Sequence, residues 1–266
     1  MREKHVFAID IDGTLLTSNH EITARTRRAI LSVREAGHHV TLATGRMAAS
    51  TLPIAAQLDM RIPIICLNGA DVVDPSTGES LASHPIAHSI IDRLAQRLQG
   101  SGADYFLLGH RFAVSQTRTY GSYETILTRS LEDYLPRAVE PVLKVTIECH
   151  SDALQDELFH ELATWQAFDM TRSMDGSIYA TAWEVTKLSG ILSLCELWDV
   201  PLGRVTAFGN AENDLAMLQH VGCGIAMANS DDLILQKIHR TTLANDEDGV
   251  AVELENFLRD AVTAVH

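Results

Sequence analysis

The sequence predicts an α/β protein: a doubly wound, mostly parallel sheet interrupted by an inserted α+β unit. Three observations carry that expectation. Strands and helices alternate from residue 6 to about 67, the alternation lapses between about 84 and 185, and it resumes after Lys187. Regular alternation marks parallel strands joined by crossover helices. A lapse followed by a return places a second unit inside the first, so the expected division is 1–83 with 186–266 for the core and 84–185 for the insertion.

The elements follow in order. Val6 to Ile11 is a short apolar run closed by Asp12-Gly13, the pattern of a buried strand. Thr23 to Ala36 reads as a helix, with Thr23 as its cap and Gly37 as its stop. Val40 to Ala43 is a second strand, Met47 to Leu58 a helix, and Pro63 to Leu67 a third strand before Asn68-Gly69. Asp74-Pro75-Ser76-Thr77-Gly78 has the residues of a hairpin tip. The insertion reads as helix 86–98, strands 105–108 and 111–115, helix 120–129, strand 143–149, helix 152–165 and strands 168–172 and 178–185. Helix 188–198, strand 205–208, helix 212–220, strand 224–227, helix 231–238, strand 241–243 and helix 250–258 complete the core.

Composition narrows the function. The 266 residues carry a formal charge of -14 and are 46% hydrophobic, as expected of a globular chain with a real core. The acidic balance argues against nucleic-acid binding, which needs clustered Lys and Arg. No apolar run reaches the length of a membrane span, and the start leads directly into a strand, so a cytoplasmic protein is expected. Cys66, Cys149, Cys195 and Cys223 are widely spaced with no CxxC pair, the pattern of separate thiols. His84 and His88 stand at helical spacing, but Pro85 between them favours solvated histidines over a metal pair. No GxxxxGK[ST] run is present, and Gly222-Cys223-Gly224 is a lone G-x-G that reads as a tight turn.

The chemistry is concentrated at four places. Asp10-Ile11-Asp12-Gly13-Thr14 follows the first strand, at the edge where open parallel sheets bind ligands. Carboxylates two residues apart on an extended chain face the same way, so Asp10 and Asp12 need a cation or a shared proton. Thr44-Gly45-Arg46 closes the second strand, and the helix beginning near Met47 aims its positive end at the same crevice. Lys187 opens a helix, where its charge opposes the dipole, at the point where the core resumes. Gly209-Asn210-Ala211-Glu212-Asn213-Asp214 follows the strand ending at Phe208.

With these motifs, Asn68-Gly69-Ala70 and Asp248-Gly249-Val250-Ala251, the sequence resembles the haloacid dehalogenase superfamily of phosphatases, and more narrowly its Cof-type branch. The resemblance implies a Rossmann-like core with the insertion as a cap. It also implies Asp10 as nucleophile, Asp12 as acid and base, and Lys187 as the cation that steadies them. Ile11, Thr44, Gly45, Lys187 and Asn213 would hold phosphate. Asp10, Asp12, Asn210 and Asp214 would surround Mg2+. The family places an aspartate where this sequence has Asn210, which is expected to weaken magnesium by about 1–3 kcal/mol through loss of one charged ligand.

The implied function is hydrolysis of a small phosphorylated metabolite, with a sugar phosphate leading, by a monomer or homodimer. A low-turnover phosphometabolite-binding protein and a sugar phosphotransferase or mutase stay open as alternatives. Tyr105, Arg111 and Trp183 are insertion residues able to touch a substrate.

Overall fold

The computed structural model describes residues 4–115, 125–127, 141–173 and 176–263. In chain order the elements are β1 (Val6–Ile9), α1 (Ala24–Glu35), β2 (His39–Leu42), α2 (Ala48–Gln57), β3 (Ile64–Cys66), β4 (Asp71–Val73) and β5 (Ser80–Ser83). The insertion holds α3 (His88–Leu98), β6 (Asp104–Leu108), β7 (Ala113–Ser115), β8 (Thr125–Leu127), β9 (Lys144–Glu148), α4 (Asp152–Ala163), β10 (Phe168–Arg172) and β11 (Ser177–Ala182). Then come α5 (Lys187–Trp198), β12 (Val205–Gly209), α6 (Leu215–His220), β13 (Cys223–Ala226), α7 (Asp232–Lys237) and α8 (Gly249–Thr263).

The first strand has no polar face because both of its faces are covered. Phe7 and Ile9 pack with Ile30, Val33 and Leu254, whereas Val6 and Ala8 pack with Ile191, Leu194, Met217 and Leu218. Strand periodicity thus sends alternate residues of one run to helices on opposite sides of the sheet. The parallel order is β13-β12-β1-β2, and a parallel bridge from Ala43 to Ile65 brings β3 alongside β2. Ile9 is level with both Phe208 and Leu42, so the chain segments leaving β1, β2 and β12 emerge at one sheet edge. The antiparallel β3-β4-β5 hairpins lead into the insertion, with the turn at 74–78 as its composition requires.

The insertion is a second sheet, in the order β10-β11-β9-β6-β7-β8, antiparallel except for β7 with β8. Tyr105, Leu107, Val145, Ile147, Ile178 and Ala180 face α3 and α4 through Ile91, Leu94, Leu158 and Leu162. The alternate residues Phe106 and Leu108 pack instead with Met47, Leu67 and Ala70 of the first unit. One face of this sheet therefore has its own core, and the other closes over the parallel sheet. Polar contacts join the units at the hairpin and at the 210–214 loop, among other places. His110 Nδ1 lies 2.6 Å from Asp71 Oδ2, and the Arg172 amide donates to Glu212 Oε2 at 3.3 Å.

Four expected elements differ. Of the helix expected at 120–129, Thr125–Leu127 form a strand beside β7, and the remaining residues lie outside the described ones. The 212–220 helix divides into a tight turn over Glu212–Asp214 and α6, because Asp214 folds back to accept the amides of Asn210 and Ala211. The strand expected to reach 185 ends at Ala182, where Glu184 takes a positive φ of 63°. Residues 241–243 contribute a single bridge at Thr241, since the Thr242 hydroxyl turns away to donate to the Gly249 carbonyl.

Candidate active site

Asp10 leaves β1 in an extended conformation, and a tight turn over Ile11–Leu15 follows, with Gly13 at φ +72°. A Cβ on Gly13 would come within 2.6 Å of Asn210 Nδ2, so the turn and the 210 loop meet only because that residue is glycine. Asp10 sits 5% exposed at the floor of a cleft of about 270 Å³, while the Asp12 side chain, 54% exposed, stands at its mouth. Both line the cleft, together with Thr44, Gly45, Arg46, Asn68, Lys144, Tyr179, Ala211 and Asn213.

Beneath the floor lies a buried ion triad. Lys187 Nζ is 2.6 Å from Asp10 Oδ1 and 2.6 Å from Asp214 Oδ1, and Lys187 and Asp214 are both 0% exposed. The lysine opens α5 against the helix dipole, and two carboxylates compensate it. A Cβ on Gly209 would lie 2.4 Å from Asp214 Cγ, so glycine there lets Asp214 fold under the sheet edge. Burial and the neighbouring Asp214 push the Asp10 carboxyl up to about 7, against the pull of Lys187 and the Ile11 amide. Burial alone would lower the Lys187 ammonium, but Asp10 and Asp214 outweigh it and hold it above its usual value.

The sequence-predicted residues divide by position. Asp10, Asp12, Thr44, Gly45 and Asn213 share the cleft, and Lys187 reaches it from below through Asp10. Ile11 is buried, and its amide is spent on the Asp10 carboxylate. Asp214 stands beside Lys187, a position compatible with the water-mediated contact to a metal that the resemblance implies. One of its oxygens is taken by Lys187 and the other by two backbone amides, so it anchors the lysine and the 210 loop. Asn210 accepts the Thr14 hydroxyl at 3.0 Å through Oδ1. Tyr105 is buried in the insertion's own core, Arg111 and Trp183 are exposed, and none of the three lines the cleft.

Besides Ala211, four lining residues have no role assigned from sequence. Arg46 holds both Asp12 oxygens, with Nε 2.7 Å from Oδ2. Asn68, at a positive φ of 56°, accepts from Asn213 Nδ2 at 3.0 Å. Lys144 and Tyr179 come from β9 and β11. Their signal is alternation: Lys144 and Thr146 interleave with Val145 and Ile147, and Tyr179 and Thr181 with Ile178 and Ala180. The apolar members face the helices, which leaves the polar members on the face that closes over the parallel sheet. Asp248, part of the resemblance, lies apart from the cleft and accepts the hydroxyls of Thr23 and Thr26, fixing the start of α1.

The family model of the haloacid dehalogenase-like hydrolases matches residues 7–254. The chain belongs to that family. It is 28% identical over 273 residues to the Bacillus subtilis 5-amino-6-(5-phospho-D-ribitylamino)uracil phosphatase YitU, covering 95% of this chain and 97% of that one. A second Bacillus subtilis protein of the same description, YcsE, is 24% identical over 254 residues, covering 95% of each. A haloacid dehalogenase-like hydrolase structure from B. subtilis superposes with a TM-score of 0.86 at 20% identity, over 94% of this chain and 99% of that one, which shows the common fold. The chain is accordingly a phosphatase, with both sheets inside the shared architecture.

The family's magnesium ion can be judged against the donors present. Asp10, at about 7, is fully ionised at neutral pH only if more positive charge lies beside it, and the cleft is its open side. The neighbouring donors are hard oxygens: the Asp10 carboxylate and the backbone carbonyl of Asp12, a residue that also lines the cleft, with the amide oxygen of Asn210 on the adjoining loop, where it accepts from Thr14. Among the described residues no three acidic, histidine or cysteine side chains converge. That donor set fits Mg2+, which takes few protein ligands and keeps several waters.

Proposed function

We propose that this phosphatase hydrolyses a small phosphorylated metabolite, a sugar or polyol phosphate, through a phospho-aspartate at Asp10. The observation that supports it is the placement of Asp10: a buried carboxylate at the cleft floor, gripped at one oxygen by Lys187 and open to the cleft. An oxygen of Asp10 attacks phosphorus, and the bond from phosphorus to the leaving alkoxide breaks. Asp12 gives that alkoxide its proton. Water then attacks the phosphorus of the acyl phosphate, Asp12 takes a proton from it, and Asp10 is released with inorganic phosphate.

Each of the chain's groups has a part in this. Lys187 fixes the rotamer of Asp10 and offsets charge that builds on the transferring group. Asp214 holds Lys187 in place. Thr44, the Gly45 amide and Asn213 surround the phosphate. Arg46 grips Asp12 as a carboxylate, the form needed for the second step. An arriving phosphate is a competing partner for that guanidinium and frees Asp12 to take up a proton, from solvent or from the ester's own monoanion, which it then gives to the leaving alkoxide. Magnesium, held by Asp10, Asp12 and Asn210, would supply a Lewis acid that neutralises phosphate charge.

The polyol or sugar leaving group is favoured by the two relatives, both described as phosphatases of a ribityl phosphate, and by a polar cleft with a single aromatic wall, Tyr179. Four free cysteines fit a reducing cytoplasm. The test is phosphate release from a panel of sugar, polyol, nucleotide and cofactor phosphates, with magnesium and with chelator. Release that needs magnesium and disappears in D10N is the expected result. Release that survives in D10N would overturn the phospho-aspartate.

A further inference from the structure

The cations of the cleft differ in how they are neutralised. Lys187 is shared by two carboxylates and Arg46 is paired with Asp12. Lys144 has no carboxylate partner among the described residues, although it is 4% exposed. Its Nζ donates to the Gly45 carbonyl at 2.9 Å and lies 4.5 Å from the Tyr179 ring centroid. An ammonium has more donors than these two neighbours use, and Lys144 lines the same cleft as Asp10, Thr44 and Asn213.

A buried cation without a counter-ion is costly and is retained where an anion arrives to meet it. Gly45 belongs to the loop expected to hold phosphate, so Lys144 touches that loop directly. We propose that Lys144 is a substrate-binding residue supplied by the inserted unit, its ammonium donating to a non-bridging oxygen of the phosphate held at Asp10. This rests on the phosphatase reading above and adds to it that the inserted unit contributes a charge to the phosphate cradle. Burial, and then the charge of Lys187, push the Lys144 ammonium down to about 7, which places the two lysines within each other's field. A phosphate dianion above Asp10 supplies the counter-charge that Lys144 lacks.

The experiment measures binding of inorganic phosphate to the magnesium-loaded full chain by calorimetry, in the parent and in K144M, K144Q, K144R and H110N. Lys144→Gln retains a donor for the Gly45 carbonyl without the charge. Lys144→Arg retains the charge. His110→Asn breaks the separate contact with Asp71 that also seats the insertion. The expected result is about tenfold weaker phosphate binding in K144M and K144Q, near-parental binding in K144R, and near-parental binding in H110N. Phosphate affinity in K144Q within about twofold of the parent would overturn the assignment, as would an equal loss in H110N, which would make Lys144 only a fastener. Failure of the phosphatase reading shows separately, as phosphate release that ignores D10N while phosphate binding still depends on Lys144.

Discussion

Replacing Lys187 by methionine keeps most of the side-chain volume and removes one charge from the triad with Asp10 and Asp214. Both carboxylates lie 2.6 Å from the ammonium, in a place where Lys187 and Asp214 are fully buried. Breaking such a pair leaves an uncompensated buried charge and costs about 3–5 kcal/mol. At about 2 °C per kcal/mol for a chain of this size, the melting temperature should fall by about 6–10 °C near neutral pH. The deficit should depend on pH in a definite direction. Without the lysine, burial and the neighbouring Asp214 hold the Asp10 carboxyl further above its unfolded value of 3.8. Asp10 sits at about 7 in the parent, so the folded variant binds more protons than the folded parent between that value and its own higher one. Stability of the variant relative to the parent therefore improves as pH falls through that window and is lost as pH rises through it. Thermal melts of parent and K187M at about pH 8.5 and pH 6 read the effect directly. Adding D10N and D214N to K187M should recover much of the loss. A K187M melt within about 2 °C of the parent at both pH values would refute the triad as the electrostatic anchor of the site.

Two other perturbations follow from the same geometry. Asn210→Asp places a third carboxylate beside Asp10 and Asp214; magnesium should bind about 1–3 kcal/mol more tightly and the metal-free chain should melt lower. A magnesium titration by calorimetry checks it, and unchanged affinity would count against Asn210 as a ligand. His5 stacks on Phe7 and Phe257 beside the Thr206 hydroxyl, and burial, then the charge of His38, pull it down to about 4. The unfolded chain binds the extra proton between 6.5 and 4, so this contribution is full above that window and lost as pH falls through it. Discounted for partial exposure, the acid loss amounts to about 1–2 kcal/mol. Urea unfolding of H5F across that window should show correspondingly less acid destabilisation than the parent.

The local sequence was enough for the parallel core and for the residues that end its strands. Apolar runs closed by Asp-Gly, Thr-Gly and Asn-Gly announce buried strands with polar turns, and in a parallel sheet those turns must share an edge. Asp10, Thr44 and Asn213 meet for that reason. Lys187 was legible as a misfit, a charge opposing its own helix, and the triad explains it. The partners of that charge were not legible, because Asp214 reaches Lys187 only after Gly209 lets the loop fold under the sheet, a contact across 27 residues. The pairing of Arg46 with Asp12 and of Asn68 with Asn213 also joins turns distant in the chain. Lys144 and Tyr179 were hidden for a different reason. Alternation along β9 and β11 says that they share a face, but not whether that face meets water or another unit. Only the closure of the insertion over the parallel sheet removed water from Lys144 and set it on the Gly45 carbonyl. The sequence by itself determined which groups could do chemistry and which sheet edge carries them. The tertiary structure decided which charges are neutralised and which one is left to meet an anion, because burial and pairing are set by distances between segments that local patterning does not encode.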